Sequence, residues 1–320
     1  MKNTLEEIQH YGITVGNHRR SRNFYSRSLR LPLLAQSVKS GPHCEMMYRL
    51  REVVNVLAWY QIGAGGIETF YLPRHPSAHF DVSDIRTPGF RYMAFHVDGF
   101  DDFAGHLDMR GIEFTSAAGA DPQCIALKDP DGVNILLFDS GKKADIGRIS
   151  GLKELGLVVA DPEGYEQFFD TLGLWKTEED DPGFISGVFG LDTLAPLYGN
   201  VRLIPLPSVP RPAPKRCFPA SHAASRLRFC DTGIKHPAFH VHDVDAFHEE
   251  GKKNGIAFLF EPLSVAGGSR ITYFLDPEGN TFEAMQVQRI AGMAGAVAGR
   301  IEAGRKDVLE AVARTLGARS

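Results

Sequence analysis

The sequence predicts an α+β fold. Four repeated strand–helix–strands modules form two tandem domains, and a C-terminal helix follows. Three observations predict this. AFHVDGFDDF at Ala94–Phe103 returns as AFHVHDVDAF at Ala238–Phe247. An Asp-Pro-x-Gly turn follows each copy, in KDPDGVNILLF at Lys128–Phe138 and LDPEGNTFEAM at Leu275–Met285. HYGITVGNHRRSRNFYSRSLRLPL at His10–Leu33 matches ELGLVVADPEGYEQFFDTLGLW at Glu154–Trp175. The two halves are offset by about 144 residues, and self-similarity at a fixed period decides the architecture before any local reading.

Residues 1–148 form the first domain, with modules opening near Ile8 and Tyr92. Residues 149–288 form the second, with modules opening near Leu152 and His236. Modules one and three read as a strand, then an amphipathic helix with an aromatic pair (Phe24–Tyr25, Phe168–Phe169), then a new strand. In modules two and four the helix runs out through HLDMRGIEF (His106–Phe114) and EGKKNGIAF (Glu250–Phe258). The Asp-Pro-x-Gly turns have a mechanism: Pro presets one dihedral and Gly takes a positive one. Units of this size cannot bury both faces of a sheet alone, so the modules should pair. A Pro-rich, basic insert, Pro205–Arg228, separates modules three and four and reads as a long loop, either a lid or a connector. Residues 289–320 are Ala/Gly-rich and turn helical over Lys306–Leu316. Val308, Leu309, Val312 and Leu316 make one stripe there, to pack on the body or on a second subunit, which leaves a homodimer open.

A chain of 320 residues is long enough for two domains. Hydrophobic content of 43% and charged content of 23% are those of an ordinary globular protein. A net charge of -4 gives no reason to expect nucleic acid or an anionic membrane as partner. Cys44, Cys124, Cys217 and Cys230 form no C-x-x-C pair, and as free thiols they fit a reducing, cytoplasmic setting. MKNTLEEIQ lacks the apolar stretch of a signal peptide, and no run approaches the roughly 20 apolar residues of a membrane span.

Two short stretches carry the chemistry. HPAFHV, His236–Val241, is a half-apolar strand that opens on a histidine. DPEGNTFEAM, Asp276–Met285, places Glu283 between apolar neighbours. A histidine and a carboxylate inside apolar strands are costly unless something binds them. One divalent metal ion, Fe(II), Mn, Ni, Co or Zn, accounts for both.

Four modules that open on H-x-x-h-x-V and close on D-P-[DE]-G-x-x-x-E resemble the vicinal oxygen chelate superfamily. That group includes glyoxalase I, methylmalonyl-CoA epimerase, fosfomycin-resistance enzymes, bleomycin-binding proteins and extradiol ring-cleaving dioxygenases. The resemblance covers residues 8–288 and implies βαβββ modules forming curved, cleft-bearing mixed sheets. It also implies two ligand positions per module, one opening the first strand and one on the last. Module one offers His10 and Glu68, and module four offers His236 and Glu283. Module two has Tyr92 and Leu136, and module three has Glu154 and Arg202, so neither holds a ligand pair. In fused relatives module one pairs with module four and module two with module three. That pairing gathers His10, Glu68, His236 and Glu283 at one site and leaves an inner site without a metal.

Other residues are weighed against that set. His240 either lines the pocket or, like His96, packs. His242 and His248 read as surface residues. Tyr273 either aims its hydroxyl at the pocket or belongs to the core, and Arg270 is either an anion clamp or solvated. Trp59, Tyr60, Phe70 and Tyr71 would put aromatic surface near the site, suiting a small, aromatic substrate. Three functions fit the resemblance. A proton-transfer isomerase, epimerase or lyase uses four ligands, with Glu68 or Glu283 moving the proton. A ring-cleaving Fe(II) dioxygenase needs only His10, His236 and Glu283, with Tyr273 nearby, and would act on a catechol or hydroquinone. A drug-binding protein needs no metal. The position of Glu68 discriminates between the first two.

Overall fold

The computed structural model describes residues 1, 3–78, 81–116, 123–177, 183–191, 197–206, 228–265 and 268–287. Most of the Pro-rich insert, Cys217 and the Lys306–Leu316 helix lie outside the described residues. Module one comprises β1 (Ile8–Thr14), α1 (His18–Asn23, continued as a π-turn over Phe24–Ser28), β2 (Leu33–Ser40), α2 (Pro42–Tyr48), β3 (Val54–Ile62) and β4 (Gly65–Tyr71). Module two comprises β5 (Gly89–Asp98), α3 (Phe100–Met109), β6 (Phe114–Ser116), β7 (Cys124–Lys128) and β8 (Asn134–Asp139). Module three comprises β9 (Arg148–Val159), α4 (Pro162–Leu172), β10 (Lys176–Thr177), α5 (Gly183–Phe189), β11 (Leu197–Tyr198) and β12 (Val201–Pro205). Module four comprises β13 (Gly233–His240), α6 (Val244–Lys253), β14 (Ala257–Phe258), β15 (Leu263–Ser264), β16 (Arg270–Leu275) and β17 (Thr281–Gln286). The sequence pattern did not show α2 and α5, which are short and lie in segments without helical periodicity.

The modules pair as expected. One sheet runs β14-β16-β17-β13-β1-β4-β3-β2 and is built from modules four and one. The other runs β10-β11-β12-β9-β5-β8-β7-β6 and is built from modules three and two. β1 and β13 meet antiparallel at the centre of the first sheet, and β5 and β9 at the centre of the second. Strand alternation splits each central strand between two environments. On β1, Tyr11 and Ile13 enter a continuous core with Phe95, Phe239 and Phe282, while His10 and Gly12 face the other way.

Each Asp-Pro-x-Gly aspartate braces the fold across modules. Asp129 caps its own turn by accepting from the Asp131 and Val133 N–H groups, and it also accepts from the Tyr25 hydroxyl of module one at 2.8 Å. Asp276 does the same with Glu278, Asn280 and the Tyr165 hydroxyl of module three at 2.6 Å. The sheets therefore join modules one to four and two to three, while the tyrosine clamps join one to two and three to four. A satisfied buried network of this kind rigidifies the strands that hold the sites. Among the described residues no helix is long and apolar enough to cross a membrane.

Candidate metal centre

The pairing of β1 with β4 and β13 sets four ionisable side chains together. Gly12 on β1 stands opposite both Glu68 on β4 and His236 on β13. Glu283 on β17 stands opposite Ala238, two residues beyond His236. The His10 Nε2 atom lies 3.6 Å from Glu68 Oε2 and 3.6 Å from Glu283 Oε2. His236 Nε2 lies 3.1 Å from Glu283 Oε2. Donor atoms of His10, Glu68 and His236 all fall within 4.8 Å of one another. Three of the expected four thus meet as one cluster, and Glu283 borders it through His10 and His236. Glu68 is the most open member, with 18% of its side chain exposed.

The local sequence explains the rotamers. Gly12 must be glycine, because a Cβ there would sit 2.3–2.8 Å from the His236 ring. The missing side chain is the space that the imidazole occupies. His10 donates from Nδ1 to the Gln9 carboxamide oxygen, which leaves Nε2 as a lone-pair donor facing the carboxylates. Trp59 packs edge-on against His10 at 5.0 Å, and Tyr273 and Phe70 hold His236 at 5.0 and 5.8 Å.

The electrostatics of the cluster are unusual for a protein interior. Among the described residues, His10 Nε2 and both nitrogens of His236 are buried without a hydrogen-bond partner, a rare state for buried polar atoms. Burial, with repulsion from Glu68, pushes the Glu283 carboxyl up to about 8, against opposing pulls from His10 and Tyr273. Burial pushes His236 down to about 4, so its ring is neutral. Two imidazoles and two crowded carboxyl groups form a donor set complementary to a divalent ion, and the residues fit such a group.

The inner sheet carries the same positions with different contents. Tyr92 lies opposite Gly156, whose Cβ would meet the Tyr92 ring at 2.1–2.7 Å, just as Gly12 makes room for His236. Arg202 donates to Glu154 from Nε at 2.8 Å and from Nη2 at 2.9 Å, and the Tyr92 hydroxyl also donates to Glu154. Leu136 occupies the place of Glu283. α5 covers this cleft, with Phe189 stacked on Tyr92 at 5.5 Å.

Several expectations are corrected. His240 is on the same face as His236 but four residues along the strand, about 13 Å away at strand rise. Its Nδ1 pairs with Glu6 Oε2 at 2.9 Å near the surface, outside the site. His248 is buried against Phe258 at 4.4 Å rather than exposed. Alternation sends Tyr60 into the core beside Tyr25, and Tyr71 stacks on His18, so only Trp59 and Phe70 of the four aromatics reach the site. Arg270 pairs with Asp245 on the exposed surface. Tyr273 does border the site, with its hydroxyl beside Glu283.

Sequence reasoning passed over Gln9, Tyr48 and Phe229. Gln9 was legible as the neighbour of a ligand histidine. Tyr48 and Phe229 come from α2 and from the end of the insert, and they stack on each other at 4.1 Å. No periodicity pointed to them.

The model described as the Glyoxalase/Bleomycin resistance protein/Dioxygenase superfamily matches the chain twice, over residues 7–137 and 151–284. No curated protein matches the chain. Among solved structures, a candidate dioxygenase from Bacillus subtilis is similar with 14% identity and a TM-score of 0.61, over 88% of this chain and 86% of its own. Glyoxalase I from Zea mays is similar with 16% identity and a TM-score of 0.59, over 91% of this chain and 95% of its own. These likenesses extend over the whole duplicated fold.

Proposed function

This chain belongs to the Glyoxalase/Bleomycin resistance protein/Dioxygenase superfamily, and on that premise we propose a divalent-metal-dependent proton-transfer enzyme. It would be an isomerase, epimerase or lyase acting on a small oxygenated substrate. The observation that carries this reading is Glu68, which stands 3.6 Å from His10 within the cluster formed with His236. A fourth protein donor suits a Lewis-acid site that polarises a substrate carbonyl, because it occupies a position that oxygen chemistry would need open.

His10, Glu68, His236 and Glu283 would hold the ion. Bound there, the metal supplies Lewis acidity toward a carbonyl or hydroxyl oxygen of the substrate. Glu68 is the base in this reading. Among the described residues its carboxylate accepts no hydrogen bond, and it faces the open cleft, so it is free to take a proton from the carbon next to the carbonyl. Glu283 is buried, steadied by Tyr273, and lies 3.1 Å from His236 Nε2. Phe229 and Tyr273 lie against the His236 ring, and Tyr48 stacks on Phe229.

A second reading has one specific support. Tyr273 beside Glu283 suits an Fe(II) ring-cleaving dioxygenase, which needs His10, His236 and Glu283 as its three-ligand face. One measurement separates the readings: metal identity and stoichiometry on protein purified anaerobically without added metal. About one Ni, Co or Zn per chain supports proton transfer. About one Fe(II) per chain, with oxygen consumed on catechols or hydroquinones, overturns it. Retention of no metal points to a binding protein instead.

A further inference from the structure

The β1–β13 ladder contains a β-bulge. Gly12 pairs with His236 but Ile13 pairs with Ile234, so Lys235 is the extra residue. Bulges re-aim side chains, and Lys235 turns into a cavity of about 280 Å³ beside the four-residue cluster. That cavity shares Tyr48, Phe229 and Tyr273 with the wall of the cluster. Lys235 is 8% exposed, yet among the described residues its ammonium makes one hydrogen bond, to the Arg228 carbonyl at 3.2 Å. Two of its three ammonium protons are left for a ligand.

The charge of the lining is one-sided. Lys235, Arg228 and Arg49 border the cavity, and no Asp or Glu does among the described residues. Asp231, a carboxylate that acts on Lys235, is engaged by Arg228 at 2.9 Å and by the backbone N–H groups of Ala78 and Arg228. The inner sheet has the same bulge, with Arg91 as its extra residue between the Phe90 and Tyr92 pairs. Arg91 spends its donors on the Thr87 and Pro88 carbonyls. The duplicated position therefore keeps a basic residue in both halves; Arg91 borders a space too small to hold a water, whereas Lys235 faces the cavity of about 280 Å³.

We propose that this cavity is a carboxylate subsite, and that the substrate is a small monocarboxylic acid. Its acid group would sit on Lys235, with Arg228 and Arg49 at the rim, while its oxygenated end reaches the His10/His236 cluster. The cavity volume lies at the small end of ligand sites, which suits a single-ring acid rather than a large thioester. Only the placement of the oxygenated end rests on the proton-transfer reading.

The test is calorimetric titration of full-length protein, metal-loaded and metal-stripped, with benzoate and with benzyl alcohol. Benzoate is expected to bind both forms, and benzyl alcohol at least tenfold more weakly. Lys235→Met should weaken benzoate at least tenfold and leave benzyl alcohol unchanged, and Lys235→Arg should restore benzoate. Equal binding of the two probes, or benzoate unaffected by Lys235→Met in a variant with wild-type circular dichroism, overturns the subsite. Because the metal-stripped protein reports the subsite alone, its failure there is distinct from a failure of the metal assay above.

Discussion

The outer and inner sheets hold the same four positions. On paired strands, His10 corresponds to Glu154, Glu68 to Arg202, His236 to Tyr92 and Glu283 to Leu136. The glycine that seats the ring is kept in both, as Gly12 and as Gly156. What differs is where the positive charge comes from. In the inner site the chain supplies it, as the Arg202 guanidinium clamped on Glu154. In the outer site two carboxyl groups face two imidazoles, and among the described residues buried nitrogens are left without partners. The helix between the second and third strands follows the same division. α5 fills the inner cleft with Phe184 and Phe189, whereas α2 only borders the outer one with Met47 and Tyr48 and leaves a cavity. The candidate site is marked by what the chain leaves unsatisfied, not by which residues are polar.

The largest expected effect breaks the outer site. His236→Ala or Glu283→Ala should abolish metal retention and turnover while the far-ultraviolet circular dichroism stays that of wild type. Leu136→Ala, at the matched inner position, should change neither metal content nor turnover. A wild-type metal content in either outer variant would remove the assignment of that residue.

The next effect breaks the inner site and reads out as stability. Arg202→Ala leaves Glu154 buried without its clamp, and losing one partner of a buried pair costs about 3–5 kcal/mol. Lys153, 4.0 Å from Glu154, supplies part of the missing charge, so the low end is expected. Urea denaturation measures this. The double variant Arg202→Met with Glu154→Leu should recover most of the loss, since an apolar pair strands no charge. If Arg202→Ala instead lowers metal content, the two sites are not independent.

Two alanines sharpen the comparison further. Gly12→Ala pushes on a proposed ligand ring, and a support displaced in this way costs about 10–100-fold in metal affinity. Gly156→Ala pushes on Tyr92 with equal severity but should read out only as overpacking, about 1–3 kcal/mol of stability. Competition titration against a chelator dye, set beside thermal melts, separates the two.

Much of this was legible in the sequence, for a physical reason. Duplication repeats its punctuation, so Asp-Pro-x-Gly turns and the AFHV strands mark module borders even where local periodicity is weak. The convergence of His10 with His236 followed from module pairing, because a half-buried sheet admits one register. Tyr48 and Phe229 were not legible, since α2 and the residues after the insert carry no repeat. His240 misled because alternation gives the face of a strand but not the distance along it. Lys235 was invisible for the opposite reason: a bulge suspends alternation, and no sequence rule located this one.

The smallest effect concerns pH, and it isolates Glu283. In the metal-free protein its folded value is about 8 against an ordinary 4.5, so the native state binds the extra proton. Stability is therefore full below pH 4.5 and falls as pH rises through 8. His236 runs the other way: its folded value of about 4 against 6.5 makes stability rise with pH only up to about 6.5. Between pH 6.5 and 8 Glu283 is the member of the pair that titrates, and about 1–2 kcal/mol should be lost there, at roughly 1.4 kcal/mol per unit. Asp276, which burial raises to about 7, slopes the same way over the lower part of that window, so the Glu283→Gln variant is the control. Its melting temperature should fall less than that of the wild type across the window. Metal affinity of the wild type should rise over the same range, because the ligand carboxylate must first lose its proton. The inner site, with Leu136 in that position, has no counterpart to titrate. If Glu283→Gln falls as steeply as wild type, Asp276 sets the slope, and the crowding of Glu68 and Glu283 is relieved without a metal.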